Sequence, residues 1–194
     1  MISANSILLI DIGGIFFSPE WRDQGIAYVS KELNIKQDDF RKALEKNKQK
    51  FYIGRMDESE YWRTTLNLLG LDTNLSTYLA RKYRSFVTPI NNALDLLPKL
   101  SKKYTLISFN NSSKEWMDYR IKLFSLDKYF VDFFTSGYTH YLKPSKMSFM
   151  NVLKKFSHTS LTYLDDNEDY LQKAITYHVR TIFVSDYKDL LKLL

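Results

Sequence analysis

Ser6-Ile7-Leu8-Leu9-Ile10-Asp11-Ile12-Gly13-Gly14 is the stretch from which the rest of the chain is read. Four consecutive aliphatic residues between a serine and an aspartate suit a strand of a parallel sheet, buried on both faces. The glycine pair directly behind it predicts a sharp backbone turn. Beyond the turn, residues 20–87 read as helices only. Within them, residues 37–51 place Phe40, Ala43, Leu44 and Phe51 on one helical face. Asp57 and Glu60 have the spacing of a capping box ahead of Tyr61, Trp62, Thr65, Leu66 and Leu69, and Gly70 stops that helix.

From residue 88 the pattern changes. Thr88-Pro89 reads as an N-cap with proline at the first helical position. It opens a helix carrying Ile90, Leu94, Leu97 and Leu100, which Pro98 kinks or ends. Further strands are predicted at 104–109, 131–135, 161–164 and 181–184. Helices are predicted at 113–124, at 144–156 with Phe149, Met150, Leu153 and Phe156 inward, at 168–178 and at 187–193. Strands alternating with helices give a doubly wound, Rossmann-like parallel α/β sheet. The helical stretch is inserted directly after the first strand. The expected division is a core of residues 1–17 and 88–194 with an inserted helical cap of residues 18–87.

Composition limits the classes. A chain of 194 residues with 44% hydrophobic and 26% charged residues is neither disordered nor fibrous. Cysteine is absent, which removes disulfides, thiolate zinc sites and cysteine nucleophiles. The apolar run at 7–10 has no basic flank and is too short for a signal peptide or a membrane span, so a cytoplasmic protein without a membrane partner is expected. The net charge is +6, of which residues 98–194 hold +5. The lysines are scattered rather than set in a stripe with interleaved aromatics, so no nucleic-acid partner is expected. A solvated basic surface, or a site that attracts anions, accounts for the excess.

In an open parallel sheet, ligands bind beyond the carboxyl ends of the strands. Polar groups follow four of these strands: Asp11, then Asn110-Asn111-Ser112-Ser113, then Lys143-Pro144, then Asp165-Asp166-Asn167. If the sheet order brings them together, the site combines carboxylates for a hard cation, a lysine for an anionic group, and a helix N-terminus offering N–H donors.

These segments, in this order, resemble the motifs of the haloacid dehalogenase-like hydrolase superfamily, most of whose members are phosphatases. The resemblance rests on Ile10-Asp11-Ile12-Gly13-Gly14-Ile15, Ile107-Ser108-Phe109-Asn110-Asn111-Ser112, Lys143-Pro144 and Tyr163-Leu164-Asp165-Asp166-Asn167, and it spans the chain from Ile7 to Leu194. The inserted helices look like the family's mobile cap. The resemblance implies that Asp11 is the nucleophile and forms an aspartyl-phosphate. It implies Mg²⁺ held by Asp11, Asp166 and the backbone carbonyl of Gly13. Lys143 then holds the nucleophile and the phosphoryl oxygens, the Asn110 side chain and the Asn111 amide cradle the phosphoryl group, and Asp165 orients the loop or holds a water at the metal. The expected substrate is a small phosphorylated metabolite.

Two positions depart from the family pattern. Gly13 stands where a second aspartate usually serves as general acid and base, so a proton must come from substrate, water or a cap residue such as Glu20. Asn110 replaces a serine or threonine. Both departures favour a rival reading, a catalytically weak relative that binds a ligand or partner. A 2-haloacid dehalogenase is a further rival; it needs an arginine or aromatic cradle, and the matching positions hold no arginine, which leaves the cap to supply one. Asp11 also fits a turn cap, Lys143 a surface lysine and Asp165-Asp166 a helix N-cap. His140, His158 and His178 show no ligand spacing.

Overall fold

The computed structural model describes residues 6–156 and 160–194, so His158 lies outside the described residues. Strands β1 (Ile7–Ile10), β2 (Thr105–Asn110), β3 (Phe130–Thr135), β4 (Leu161–Asp165) and β5 (Arg180–Phe183) form one sheet in the order β3-β2-β1-β4-β5. Every pairing is parallel. The central strand β1 is buried at all four residues. Leu8 and Ile10 face one hydrophobic cluster, and Ile7 and Leu9 face the other. That is why its sequence is an unbroken aliphatic run rather than an alternating one.

Helices cover both faces. Leu97 and Leu100 of α5 (Leu97–Lys103), Trp116 and Met117 of α6 (Lys114–Phe124), and Leu190 of the closing 3-10 turn Tyr187–Leu193 pack in the first cluster. Phe149 and Val152 of α8 (Lys146–Lys155) and Leu171 and Ala174 of α9 (Glu168–Ile175) pack in the second. Between β1 and α5 the chain builds α1 (Trp21–Glu32), α2 (Gln37–Tyr52), α3 (Glu58–Leu68) and α4 (Ser76–Arg84), which pack on one another. The Asp57 carboxylate accepts the Glu60 N–H at 2.8 Å, forming one arm of the expected capping box. Gly70 adopts φ +67° just beyond α3.

Three readings are corrected. Thr88-Pro89 starts no helix. The chain enters the helical layer at Ser18 and leaves it at Thr88, and these two crossings pair with each other: Ser18 N–H donates to Thr88 O (3.0 Å) and Ile90 N–H to Phe16 O (2.9 Å). This holds residues 88–90 extended, with Pro89 bridged to Phe17. Pro98 does not end a helix but sits in the first turn of α5, where its missing N–H costs nothing. Met150 is exposed and Val152 is buried. Val152 shares the face of Phe149 at i+3, while Met150 is rotated about 100° away from it.

Candidate active site

Register sets the site. Ile10 pairs with Ser108 on one side and Leu164 on the other, so Asp11 emerges between the ends of β2 and β4. Its own N–H still donates to Leu164 O (2.9 Å). The loop behind it closes on itself, with Ile12 O accepting from the N–H groups of Phe16 (3.0 Å) and Phe17 (3.1 Å). Gly14 adopts φ +74°, and a Cβ there would stand 1.8 Å from Asp166 Oδ2. A side chain there would be strained by the positive φ and would push the Asp166 carboxylate out of place.

The loops meet in a cleft of about 610 Å³ whose lining includes Asp11, Gly13, Asn110, Asn111, Lys143 and Asp166. Lys143 follows the short helix α7 (Ser136–Thr139) and a loop. It is buried, and its Nζ donates to Asp11 Oδ2 and to Asp165 Oδ2, each at 2.8 Å. Gly13 N–H donates to the other Asp11 oxygen, Oδ1, at 3.1 Å, which fixes the carboxylate from both sides. Asp165 lies beneath the cleft, fully buried. It accepts from Lys143, from the Tyr163 hydroxyl and from Asn167 N–H (2.9 Å). Asn167 in turn caps α9 through Asp169 N–H and Tyr170 N–H.

Carboxylate oxygens of Asp11, Asp165 and Asp166 lie within 4.8 Å of one another. Three carboxylates against one ammonium leave the cluster at −2, the charge that one divalent cation cancels. Burial raises the Asp11 carboxyl above its usual range, against the pull of Lys143. Burial likewise pushes Asp166 up to about 6, with Asp11 and Asp165 adding to the rise. Burial alone would lower the Lys143 ammonium, but Asp11 and Asp165 outweigh it and its pKa is raised. The donor set is hard oxygen, which fits Mg²⁺.

Asn110 is buried at the end of β2. Its Oδ1 accepts from Ser108 Oγ (2.7 Å) and Thr135 Oγ1 (3.2 Å), and its Nδ2 lies 3.6 Å from Met117 Sδ, a weak acceptor. Asn111 does something that the sequence reading did not assign to its side chain. Its Oδ1 accepts Lys143 N–H (2.7 Å) and its Nδ2 donates to Lys143 O (3.0 Å), so one amide grips the lysine backbone at both polar groups.

Arg22 and Arg120 also line the cleft, from the helical layer and from α6. A signal for Arg120 was present: it lies four residues beyond Trp116, on the apolar stripe of its helix, where a cation is out of place. Glu20 is exposed and outside the lining; the acid of the helical layer that does face the cleft is Glu45. His140 Nδ1 is within 2.8 Å of Ile53 O, and both His140 and His178 take positive φ at turns, apart from the cleft.

No protein-family model and no curated protein matches the chain. Solved structures do match it. A HAD family enzyme from Bacteroides thetaiotaomicron superposes with TM-score 0.77 at 19% identity, over 93% of each chain. Its complex with magnesium and inorganic phosphate superposes with TM-score 0.75 at 20% identity, over 92% of this chain and 93% of that one. An L-2-haloacid dehalogenase from Xanthobacter autotrophicus with chloropropionic acid covalently bound gives TM-score 0.66 at 16% identity, over 95% of this chain and 78% of that one. The chain has the fold of the HAD family enzymes. Among the described residues no helix is long and apolar enough to cross a membrane.

Proposed function

We propose that the chain is a HAD-type, Mg²⁺-dependent phosphatase acting on a small phosphorylated metabolite, with Asp11 as nucleophile and the helices of residues 18–87 as its cap. The observation that carries this reading is the −2 cluster of Asp11, Asp165, Asp166 and Lys143 at the carboxyl end of the central strand. Asp11, Asp166 and the Gly13 carbonyl would hold the cation, which would neutralise the carboxylates and the charge of the phosphoryl group.

The chain's own groups do the rest. Asp11, oriented by Lys143 and Gly13 N–H, attacks phosphorus. The bond to the leaving oxygen breaks, and that oxygen takes its proton from solvent or from the substrate. Water then attacks the same phosphorus, the bond to Asp11 breaks and a proton leaves to solvent, which restores the carboxylate as phosphate departs. Lys143 shares its ammonium between Asp11 and the phosphoryl oxygens. The remaining ones are cradled by the Asn111 backbone N–H and by Asn110, whose Nδ2 exchanges the weak acceptor Met117 Sδ for a phosphoryl oxygen. Phosphate release from a panel of phosphate monoesters should require Mg²⁺ and should disappear in Asp11→Asn, which keeps the shape but cannot attack. Turnover near the wild-type rate in D11N would make Asp11 structural.

A 2-haloacid dehalogenase is the second reading, favoured by the arginines and the aromatic rings of Phe17 and Trp21 in the cleft. Halide release from 2-chloropropionate that persists in a chelator would decide for it.

A further inference from the structure

Arg22 and Arg120 are two cations without an anion. Neither has a carboxylate within ion-pair distance among the described residues. Asp11 is engaged by Lys143 at 2.8 Å, and Glu45, the acid facing the cleft beside Arg22, is engaged by Lys48 at 2.6 Å. Arg120 is 6% exposed. Its one described hydrogen bond runs from NH1 to Ser112 Oγ at 3.2 Å, a modest return for a group with five donors. The Nε–H groups of both arginines are buried without an acceptor among the described residues. Both guanidinium carbons lie 5.6 Å from the Trp21 ring centroid, so one indole positions the pair. Burial pulls the Arg120 guanidinium down to about 10 and the like charge of Arg22 adds to the fall, against the opposing pull of Tyr52 and Asp11. Tyr52 above all holds Arg22 above its usual range despite burial. Arg120 therefore has one described hydrogen bond and the faces of Phe17 and Trp21 around it, at 5.9 Å and 5.6 Å, and most of its donors are left for a bound anion. The guanidinium fork matches carboxylate and phosphate oxygens alike.

We infer that Arg22 and Arg120 form an anion subsite beside Asp11, which takes a second acidic group, carboxylate or phosphate, carried by the same phosphate monoester. The inference rests on the phosphatase reading and narrows its substrate class. The reacting phosphoryl group meets Asp11, Lys143 and the cation. The second acid lies against the arginines, with Phe17, Trp21 and Tyr52 walling the short connection between them.

Calorimetry with non-hydrolysable probes, at saturating Mg²⁺, tests this without turnover. Methylphosphonate carries the first acid only, phosphonoacetate adds a carboxylate, and methylenediphosphonate adds a second phosphonate. At least one of the two-acid probes should bind roughly tenfold or more tightly than methylphosphonate, and the tighter of the two identifies the acid. Arg22→Gln and Arg120→Met should each bring that ratio close to one. Arg22 is only half-buried, so R22Q keeps the test available if R120M fails to fold. Equal affinity of all three probes for the wild type, or an unchanged ratio in R22Q, overturns the subsite and leaves the phosphatase reading standing. No Mg²⁺-dependent binding of any probe overturns both.

Discussion

Gly13 stands where an acid would be useful, and its surroundings leave room for one. A Cβ there meets Asp11 Oδ1 at 3.8 Å, an ordinary contact, and Gly13 is not among the glycines with positive φ. Without a positioned acid the leaving oxygen departs with most of its charge, and the usual gain of roughly 10²–10⁴ from general acid–base catalysis is missing for poor leaving groups. Rates across aryl and alkyl phosphates should therefore fall steeply as the leaving-group pKa rises, and Gly13→Asp should flatten the slope. A shallow wild-type slope that Glu45→Gln makes steep would transfer the acid role to the helical layer. Asn111 matters in a different way. Its side chain holds the backbone of Lys143, whose ammonium holds the nucleophile, so Asn111→Ala should release the lysine by a fraction of its reach. A displacement of an ångström costs roughly 10²-fold in rate. The expected result is a kcat lowered by that order while Mg²⁺ still raises the melting temperature, because no metal ligand has changed. A loss of both together would show that Asn111 supports the fold rather than positioning Lys143.

Helix α6 ties the helical layer to the sheet layer above all through the indole of Trp116. Trp116 lies 5.6 Å from Trp21 of α1, 5.1 Å and 5.8 Å from Phe51 and Tyr52 of α2, 6.3 Å from Tyr61 of α3 and 5.7 Å from Tyr83 of α4, ring centre to ring centre. Its Nε1–H donates to Glu58 Oε1 at 2.9 Å, and Glu58 pairs with Arg84 at 3.0 Å. All four helices thus touch one side chain of the sheet layer, and thermal unfolding should be one transition. Trp116→Ala should cost about 3–5 kcal/mol; Trp116→Phe keeps most ring contacts and should cost less. Two separate calorimetric transitions in the wild type would refute the coupling. The elements themselves were largely legible, because each depends on local signals: aliphatic runs for β1 and β2, Ser113 accepting Trp116 N–H at the start of α6 (3.2 Å), Gly70 beyond α3. What escaped depends on distant partners. Thr88 looked like a cap until Ser18, far away in sequence, claimed its carbonyl. The sheet order was open until the register was known. Arg120 stands out as a cation on an apolar stripe, but the stripe does not say that this member meets the cleft rather than the core.

Charge spread over the whole molecule is of little use to a phosphatase unless its carboxylate cluster is balanced, and Lys143 alone does not balance the three carboxylates of this one. Asp166 is raised to about 6 in the fold against 3.8 for an ordinary aspartate. Between those two values the folded chain retains a proton that the unfolded chain has already lost. Stability of the metal-free protein should therefore fall as pH rises from about 4 to about 6, and level off above that. Mg²⁺ binds the deprotonated carboxylates, so its benefit runs the opposite way and grows through the same interval. At a hundredfold excess over Kd it contributes about 2.7 kcal/mol, which for a domain of this size moves Tm by roughly 5–10 °C. Melting curves recorded from pH 4.5 to 7.5, in chelator and in Mg²⁺, should diverge as the pH increases. Asp166→Asn removes the titrating group and a ligand together. It should stabilise the metal-free protein at neutral pH by relieving like charge beside Asp11 and Asp165, and it should abolish the response to Mg²⁺. A mutant that still gains the full increment from Mg²⁺ would place the cation away from Asp166, and with it the whole assignment of the carboxylate cluster.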